Sequence, residues 1–300
     1  MWVAAQERSW KEQKVHHKVV VLGANGLVGS ELLKNLPNSR GLLHSDLRIE
    51  DFDQTRELLL RIRPDLIINT AGLNNTDACE QMPEQSFKSN CLGAKNLAVT
   101  AGELDIPLVQ FSTDYVFGGK SDRKTPYGEE DLPHPVNVCG ISKLAGEHFV
   151  ASYCPRHYII RISAVYGPGG SRAKGGRDFI KTILRLRKEK EVIRVVDDQF
   201  VSPTCAIDLA KKVKELVGTG RYGTYHMGGS GVCSWYEFAT AIFEIRGISA
   251  QVSAVKTDPG PSLRRAFYTG LRNRGIVDAG LKDLDHWRVC LERYLRDYEE

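Results

Sequence analysis

The stretch KVVVLGANGLVGSELLKNL, residues 18–36, decides the fold. Lys18 to Leu22 is a short β-branched run closed by glycine, the pattern of a strand buried on both faces. Glycines follow at 23, 26 and 29, after which Leu27, Val28, Leu32, Leu33 and Leu36 recur at helical spacing. Strand, glycine turn and helix, in that order, are the setting in which G-x-x-G-x-x-G holds a dinucleotide. Gly23 permits the tight turn, Gly26 lets backbone approach a pyrophosphate, and Gly29 lets helix and strand pack closely. The free N–H groups and dipole of the helix N-terminus would hold the pyrophosphate.

Downstream the same alternation continues. Residues 41–45 read as a second strand with Asp46 at its end, and a helix over 53–63 precedes the apolar strand that starts at Asp65 and ends in Thr70, Ala71 and Gly72. A helix around 83–102, a strand over 107–112, a helix over 140–152 and a strand over 158–162 follow. Strands alternating with helices predict a parallel sheet with right-handed crossovers and a ligand across the carboxyl ends of its strands. After about residue 170 the pattern loosens: a helix at 177–190, a strand at 192–196, helices at 206–217, 234–246 and 285–297, and a loop at Pro259 and Pro261. The expected fold is α/β, a Rossmann-type doubly wound parallel sheet with a smaller C-terminal substrate-binding lobe. Residues 1–17 would form a poorly ordered extension, 18–165 (with returning segments) the NAD(P)-binding domain, and 166–300 mainly the substrate lobe.

Composition excludes several alternatives. The 300-residue chain is 42% hydrophobic and 26% charged, a globular profile that rules out disordered, collagen-like and coiled-coil chains. No apolar run approaches the roughly 18–20 residues that span a bilayer, so no membrane association is expected. A net charge of +4 is too mild to call for nucleic acid. Nine Lys and Arg against three acids crowd residues 172–194, a local field suited to a small anionic ligand, with Arg177 at the helix start as the residue expected to meet it. The seven cysteines are odd in number and contain no C-x-x-C, so free thiols in a cytoplasmic protein are expected rather than zinc or a redox motif. Residues 1–17 lack the apolar core of a signal peptide, and Glu80, Glu84 and the histidines are not spaced as metal ligands.

Five ordered motifs, GANGLVG, NTAGLNNTDACE, FSTDYVFGG, GISKLAGE and DQFVSPT, resemble those of the extended short-chain dehydrogenase/reductases. They are most similar to the dTDP-4-dehydrorhamnose reductase family, and the likeness runs from about residue 18 to 297, including Ser234 to Phe238 and Trp287. It implies NAD(P)H-dependent reduction of the 4-keto group of a nucleotide-activated deoxysugar. NADPH is the expected cofactor, with NADH as the alternative. The implied cofactor residues are Gly23, Asn25, Gly26, Leu27, Val28, Gly29, Asp46, Leu47, Thr70, Ala71, Gly72, Asn90 and Lys143, and Arg40 or Arg48 would meet a 2′-phosphate. The implied substrate residues are Thr76, Asp114, Arg177, Asp198, Gln199 and Arg265.

In such a family a Y-x-x-x-K tyrosine gives the proton, the lysine lowers its pKa, and a Ser or Thr hydroxyl polarises the carbonyl. Thr113, Cys139 and Lys143 occupy those catalytic positions, so cysteine stands where the tyrosine belongs. A thiol stops one bond beyond Cβ and falls short of the roughly 3 Å contact, or single bridging water, that proton transfer needs. Three readings stay open: a tyrosine replaced in this chain, a natural variant using water or another donor, and a non-catalytic homologue. Tyr127 and Tyr166 lie nearby in sequence, but nothing in the sequence places their hydroxyls at the carbonyl. The non-catalytic alternative is a dinucleotide-binding regulatory subunit resembling the accessory subunit of methionine adenosyltransferase, which would act on a partner enzyme; a homodimer is equally compatible. Ala164 and the stretch Arg265 to Leu271 depart from the family pattern, enlarging one wall and crowding another, which widens the expected substrate to a related nucleotide-activated 4-ketosugar.

Overall fold

The structure, a computed structural model, describes residues 18–119, 122–170, 175–176, 178–258 and 264–297. The first half runs β1 (Val19–Leu22), α1 (Leu27–Asn35), β2 (Ser39–Leu42), α2 (Phe52–Ile62), β3 (Leu66–Asn69), α3 (Thr76–Gln81) and α4 (Pro83–Phe87). A π-helical turn (Lys88–Leu92), α5 (Gly93–Glu103), β4 (Leu108–Thr113), a 3₁₀ turn (Asp114–Val116), α6 (Val138–Tyr153) and β5 (His157–Ile162) complete it. The second half begins β6 (Val165–Tyr166), α7 (Phe179–Glu189), β7 (Val192–Val196), β8 (Phe200–Val201) and β9 (Thr204–Cys205). It ends with α8 (Ala206–Thr219), β10 (Gly223–His226), β11 (Cys233–Ser234), α9 (Trp235–Arg246), β12 (Gln251–Val255), α10 (Arg274–Asp278) and α11 (Trp287–Asp297).

Six strands form one parallel sheet in the order β2-β1-β3-β4-β5-β10. The chain leaves β1 for β2 on one side and returns to β3 on the other, so the carboxyl ends of β1 and β3 flank the switch point where ligands bind in such sheets. Side chains alternate along each strand: Val19 and Val21 pack with Leu32 and Leu209 on one face, Val20 and Leu22 with Leu59 and Leu97 on the other. Burial on both faces explains the unbroken Val-Val-Val-Leu run.

Several boundaries differ from the sequence expectation. The second strand is Ser39–Leu42 rather than 41–45, because Val19 pairs with Ser39 and Leu22 with Leu42. The helix expected around 83–102 is three pieces, since a π-helical turn, with the same apolar pattern as α-helix, separates α4 from α5. Residues 206–226 return to the sheet: β10 pairs with β5, and α8 packs its Leu209, Val213 and Leu216 into the cluster beneath α1. The smaller lobe has its own core of Tyr166, Ile180, Phe238, Trp287 and Leu291. No helix among the described residues is long and apolar enough to cross a membrane.

Beneath the sheet's carboxyl edge lies a buried polar chain. Ser112 donates to Glu147, Arg161 Nη2 donates to Glu147 Oε2 at 2.7 Å, and Arg161 Nη1 donates to His226 Nε2 at 3.4 Å. His226 Nδ1 in turn donates to the Tyr127 carbonyl at 3.0 Å. Burial and the neighbouring Arg161 push the His226 imidazole down to about 3. The unfolded chain takes up this proton near pH 6.5 and the folded chain does not, so the stability held above pH 6.5 is lost as pH falls through 6.5 toward 3. One proton corresponds to about 1.4 kcal/mol per pH unit, so moving from pH 6.5 to 5 is expected to cost about 2 kcal/mol through this residue. Urea unfolding of the wild type and His226→Gln at pH 7 and 5 checks it: equal pH dependence in both proteins would refute the assignment.

Candidate active site

A cleft of about 1070 Å³ opens at the carboxyl ends of β1, β3 and β4 and extends to the smaller lobe. That is at the top of the usual range for a small-molecule site, about 300–1,000 Å³. The glycine turn forms one wall. Gly23 has φ +71°, and a Cβ there would lie 2.8 Å from both the Ala71 nitrogen and Thr70 Oγ1. A Cβ on Gly29 would overlap the Gly23 carbonyl, so the helix can pack onto the turn only with glycine at this position. Gly26 caps α1 without any side-chain cap, leaving the first-turn N–H groups toward the cleft. These features fit a dinucleotide pyrophosphate.

At the opposite wall the end of β3 meets α6. A Cβ on Gly72 would lie 2.6 Å from Asn90 Oδ1 and 2.8 Å from Lys143 Nζ, so Gly72 is the cradle against which both are set. Asn90, on the π-helical turn, does not line the cleft: its Oδ1 accepts from the Leu73 N–H and its Nδ2 donates to the Leu73 carbonyl, both at 2.9 Å. Its work is to clamp the loop after β3. Lys143 lines the cleft, 5% exposed, and makes no ion pair among the described residues; burial holds its ammonium below the usual lysine range.

Thr113 ends β4, caps the 3₁₀ turn by accepting from the Tyr115 N–H at 3.2 Å, and donates to Asp114 Oδ1 at 3.1 Å. Asp114 Oδ2 accepts from Ser163 at 2.7 Å and Thr269 at 2.6 Å, while burial raises its carboxyl above the ordinary aspartate value. Cys139 opens α6 behind the Asn137 cap, which accepts from the Gly140 N–H at 2.9 Å. The Val138 N–H donates to Glu80 Oε1 at 2.7 Å, tying α6 to α3 and bringing Cys139 against Cys79. The Cys139 thiol lies against the Cys79 sulfur, whose own S–H donates to the Leu73 carbonyl at 3.3 Å; this contact, with burial, pushes the Cys139 thiol up, while the same contact lowers Cys79.

The structure therefore places Gly23, Asn25, Gly26, Leu27, Val28, Leu47, Thr70, Ala71, Gly72, Thr76, Thr113, Asp114, Cys139, Lys143, Gln199 and Arg265 on one cleft. Gly29 lies behind it as packing. Asp46 is exposed and closes a turn by accepting from the Leu43 N–H at 2.8 Å, while His44 takes the lining position; Arg40 and Arg48 are also outside the lining. Asp198 accepts from the Thr257 N–H at 2.9 Å and Thr257 Oγ1 at 2.6 Å, and so supports the loop under Gln199 rather than the cleft. Arg177 lies outside the described residues. Tyr127 and Tyr166 are buried away from the cleft, Tyr127 stacked 4.2 Å from Phe117 and Tyr166 packed on Phe238 and Tyr294. Tyr115 and Trp235 line the cleft and were not singled out for it by sequence, although both sit inside quoted motifs. All seven cysteines are buried and free, and no cluster of metal-ligating residues occurs among the described residues.

Comparison with known proteins bears on this geometry. The family model described as RmlD substrate binding domain matches residues 17–300. The Bacillus subtilis spore coat polysaccharide biosynthesis protein SpsK is 37% identical over 285 residues, covering 93% of this chain and 97% of that protein. The Escherichia coli dTDP-4-dehydrorhamnose reductase is 33% identical, with coverages of 93% and 97%. The crystal structure of dTDP-4-dehydrorhamnose reductase from Bacillus anthracis in complex with NADP superimposes with a TM-score of 0.88 at 34% identity, covering 94% of this chain and all of that one. With the glycine turn, Thr113 and Lys143 gathered on one cleft, the chain belongs to the RmlD family, the dTDP-4-dehydrorhamnose reductase branch of the extended short-chain dehydrogenase/reductases.

Proposed function

We propose that this protein reduces the 4-keto group of a dTDP-linked 6-deoxyhexose with NADPH as cofactor. The observation that carries the reading is the convergence of Gly72, Lys143 and Thr113 on the cleft that the Gly23–Gly29 turn opens. The relatives named as reductases and the NADP-bound relative support the substrate class and the cofactor. When bound, the reduced nicotinamide supplies a hydride to the carbonyl carbon.

The first turn of α1 holds the pyrophosphate, and Lys143 sets a buried positive charge beside Gly72 at the nicotinamide end. Thr113 can turn its hydroxyl to the developing alkoxide, and its acceptance of the Tyr115 N–H fixes its side chain. Positive potential in a water-poor site stabilises that oxygen more than it stabilises the neutral ketone. Asp114, held by Ser163 and Thr269, orients sugar hydroxyls.

The test is loss of NADPH absorbance with dTDP-4-dehydrorhamnose, with NADH run in parallel. Turnover with NADPH preferred is the expected result. Binding of NADPH without turnover of any dTDP-4-ketosugar would overturn the reading in favour of the non-catalytic, regulatory one.

A further inference from the structure

We propose that Tyr115 is the catalytic acid of this cleft, returning a proton to the sugar oxygen in place of the tyrosine missing at position 139. The inference rests on the reductase reading above. It begins with what Cys139 cannot do. Its sulfur stops one bond beyond Cβ, the residue is 3% exposed, and its thiol is engaged with the fully buried Cys79. The thiol at position 139 is thus held against Cys79 of α3, short of proton-transfer reach.

Tyr115 is the only tyrosine that lines the cleft among the described residues. Its backbone starts beside the gap: a side chain at Gly140 would overlap the Tyr115 carbonyl, so residue 115 rests directly on the residue that follows Cys139. Its N–H is anchored on Thr113, the residue at the end of β4 that caps the 3₁₀ turn, which ties the phenol and the polarising hydroxyl to one rigid junction. A phenol reaches across a full ring where the thiol falls short. The Tyr115 phenol lies beside the Thr76 side chain, and the charge of Arg265, itself paired with Asp77 at 3.1 Å, lies close by. Burial and the Asp114 carboxylate hold this phenol up at about 12, so it stays protonated through neutral pH yet remains a stronger acid than an alcohol.

The step balances. The carbonyl carbon accepts a hydride from reduced nicotinamide, a C–H bond forms, and the carbonyl π pair moves onto oxygen. That oxygen takes the proton as the Tyr115 O–H bond breaks, leaving alcohol, oxidised nicotinamide and tyrosinate. The tyrosinate recovers its proton from bulk solvent through the cleft, so that each turnover consumes one solvent proton.

Four proteins test this with NADPH and dTDP-4-dehydrorhamnose: wild type, Tyr115→Phe, Cys139→Tyr, and Tyr115→Phe combined with Cys139→Tyr. General acid catalysis contributes about 10²–10⁴-fold, so Tyr115→Phe should lower kcat by at least about a hundredfold. NADPH affinity by fluorescence and dTDP affinity by calorimetry should stay within about threefold, below half of one tenfold step of 1.4 kcal/mol. The double variant should regain turnover over Tyr115→Phe. An effect of Tyr115→Phe confined to KM overturns the assignment. A silent wild type beside an active Cys139→Tyr single variant overturns Tyr115 and leaves the reductase reading standing; silence of both overturns both.

Discussion

Replacing Lys143 with methionine is expected to lower turnover by about a hundred- to a thousandfold while leaving the fold as stable as before, or more so. The two effects have one physical origin. The Lys143 ammonium has been taken out of water and set against Gly72 without an ion-pair partner among the described residues, and burial pulls its pKa down from 10.5. The sign follows from linkage: a lysine with a depressed folded pKa binds its proton less well in the folded state, so it opposes folding at neutral pH, and the opposition is relieved only as pH rises toward the unfolded value. Methionine keeps length and apolar volume and removes that opposition. What it cannot keep is the positive potential at the nicotinamide end of the cleft, which acts on charge that develops during reaction. Turnover measurements and urea unfolding on the same preparations check both halves. A loss of turnover below tenfold would deny the charge its role, and a destabilisation above about 2 kcal/mol would make Lys143 a packing residue.

How far the site could be read in advance depended on how local its signals are. Gly23, Gly26 and Gly29 were legible because strand, turn and helix are encoded within nineteen consecutive residues, and each glycine has a steric reason. Thr113 and Lys143 followed from ordered motifs, and the structure brings both to the same cleft. Asn90 was legible as polar but not as a clamp, because a π-helical turn carries the same apolar rhythm as the α-helix on either side. Asp46 stands at the end of a sequence-expected strand, yet that strand pairs two residues earlier and the carboxylate is spent on a turn. The return of β10 to the sheet rests on pairing between residues 223–226 and 158–161, a contact across some sixty positions that no window of periodicity contains. Tyr115 follows an aspartate at a strand end and reads there as part of a turn; only the burial of Cys139 against Cys79 makes it conspicuous.

The same limit hid the pair with the largest expected effect on stability. Glu147 and Arg161 belong to different elements, α6 and β5, and neither residue alone signals a partner. Both are about 5% exposed; Arg161 Nε and Nη2 donate to the carboxylate at 3.1 and 2.7 Å, Ser112 donates to it as well, and the guanidinium lies 5.2 Å from the Phe117 ring centroid. Removing one member strands a buried charge, so Glu147→Leu and Arg161→Met are each expected to cost about 3–5 kcal/mol. Against a total stability of about 5–15 kcal/mol, either single variant would be marginal. Removing both members strands neither charge, and the joint variant is expected to lose less than either single one, the unmet acceptor on His226 being its main remaining cost. Unfolding free energies of the four proteins give the coupling directly; additivity within about 0.5 kcal/mol would mean that the pair is not coupled. The consequence reaches the cleft, because Lys143 sits one helical turn before Glu147 on α6. A single variant that survives folding should therefore lose turnover beyond its loss of folded protein, since the anchor that holds α6 to β4 and β5 also sets the height of the Lys143 charge above Gly72.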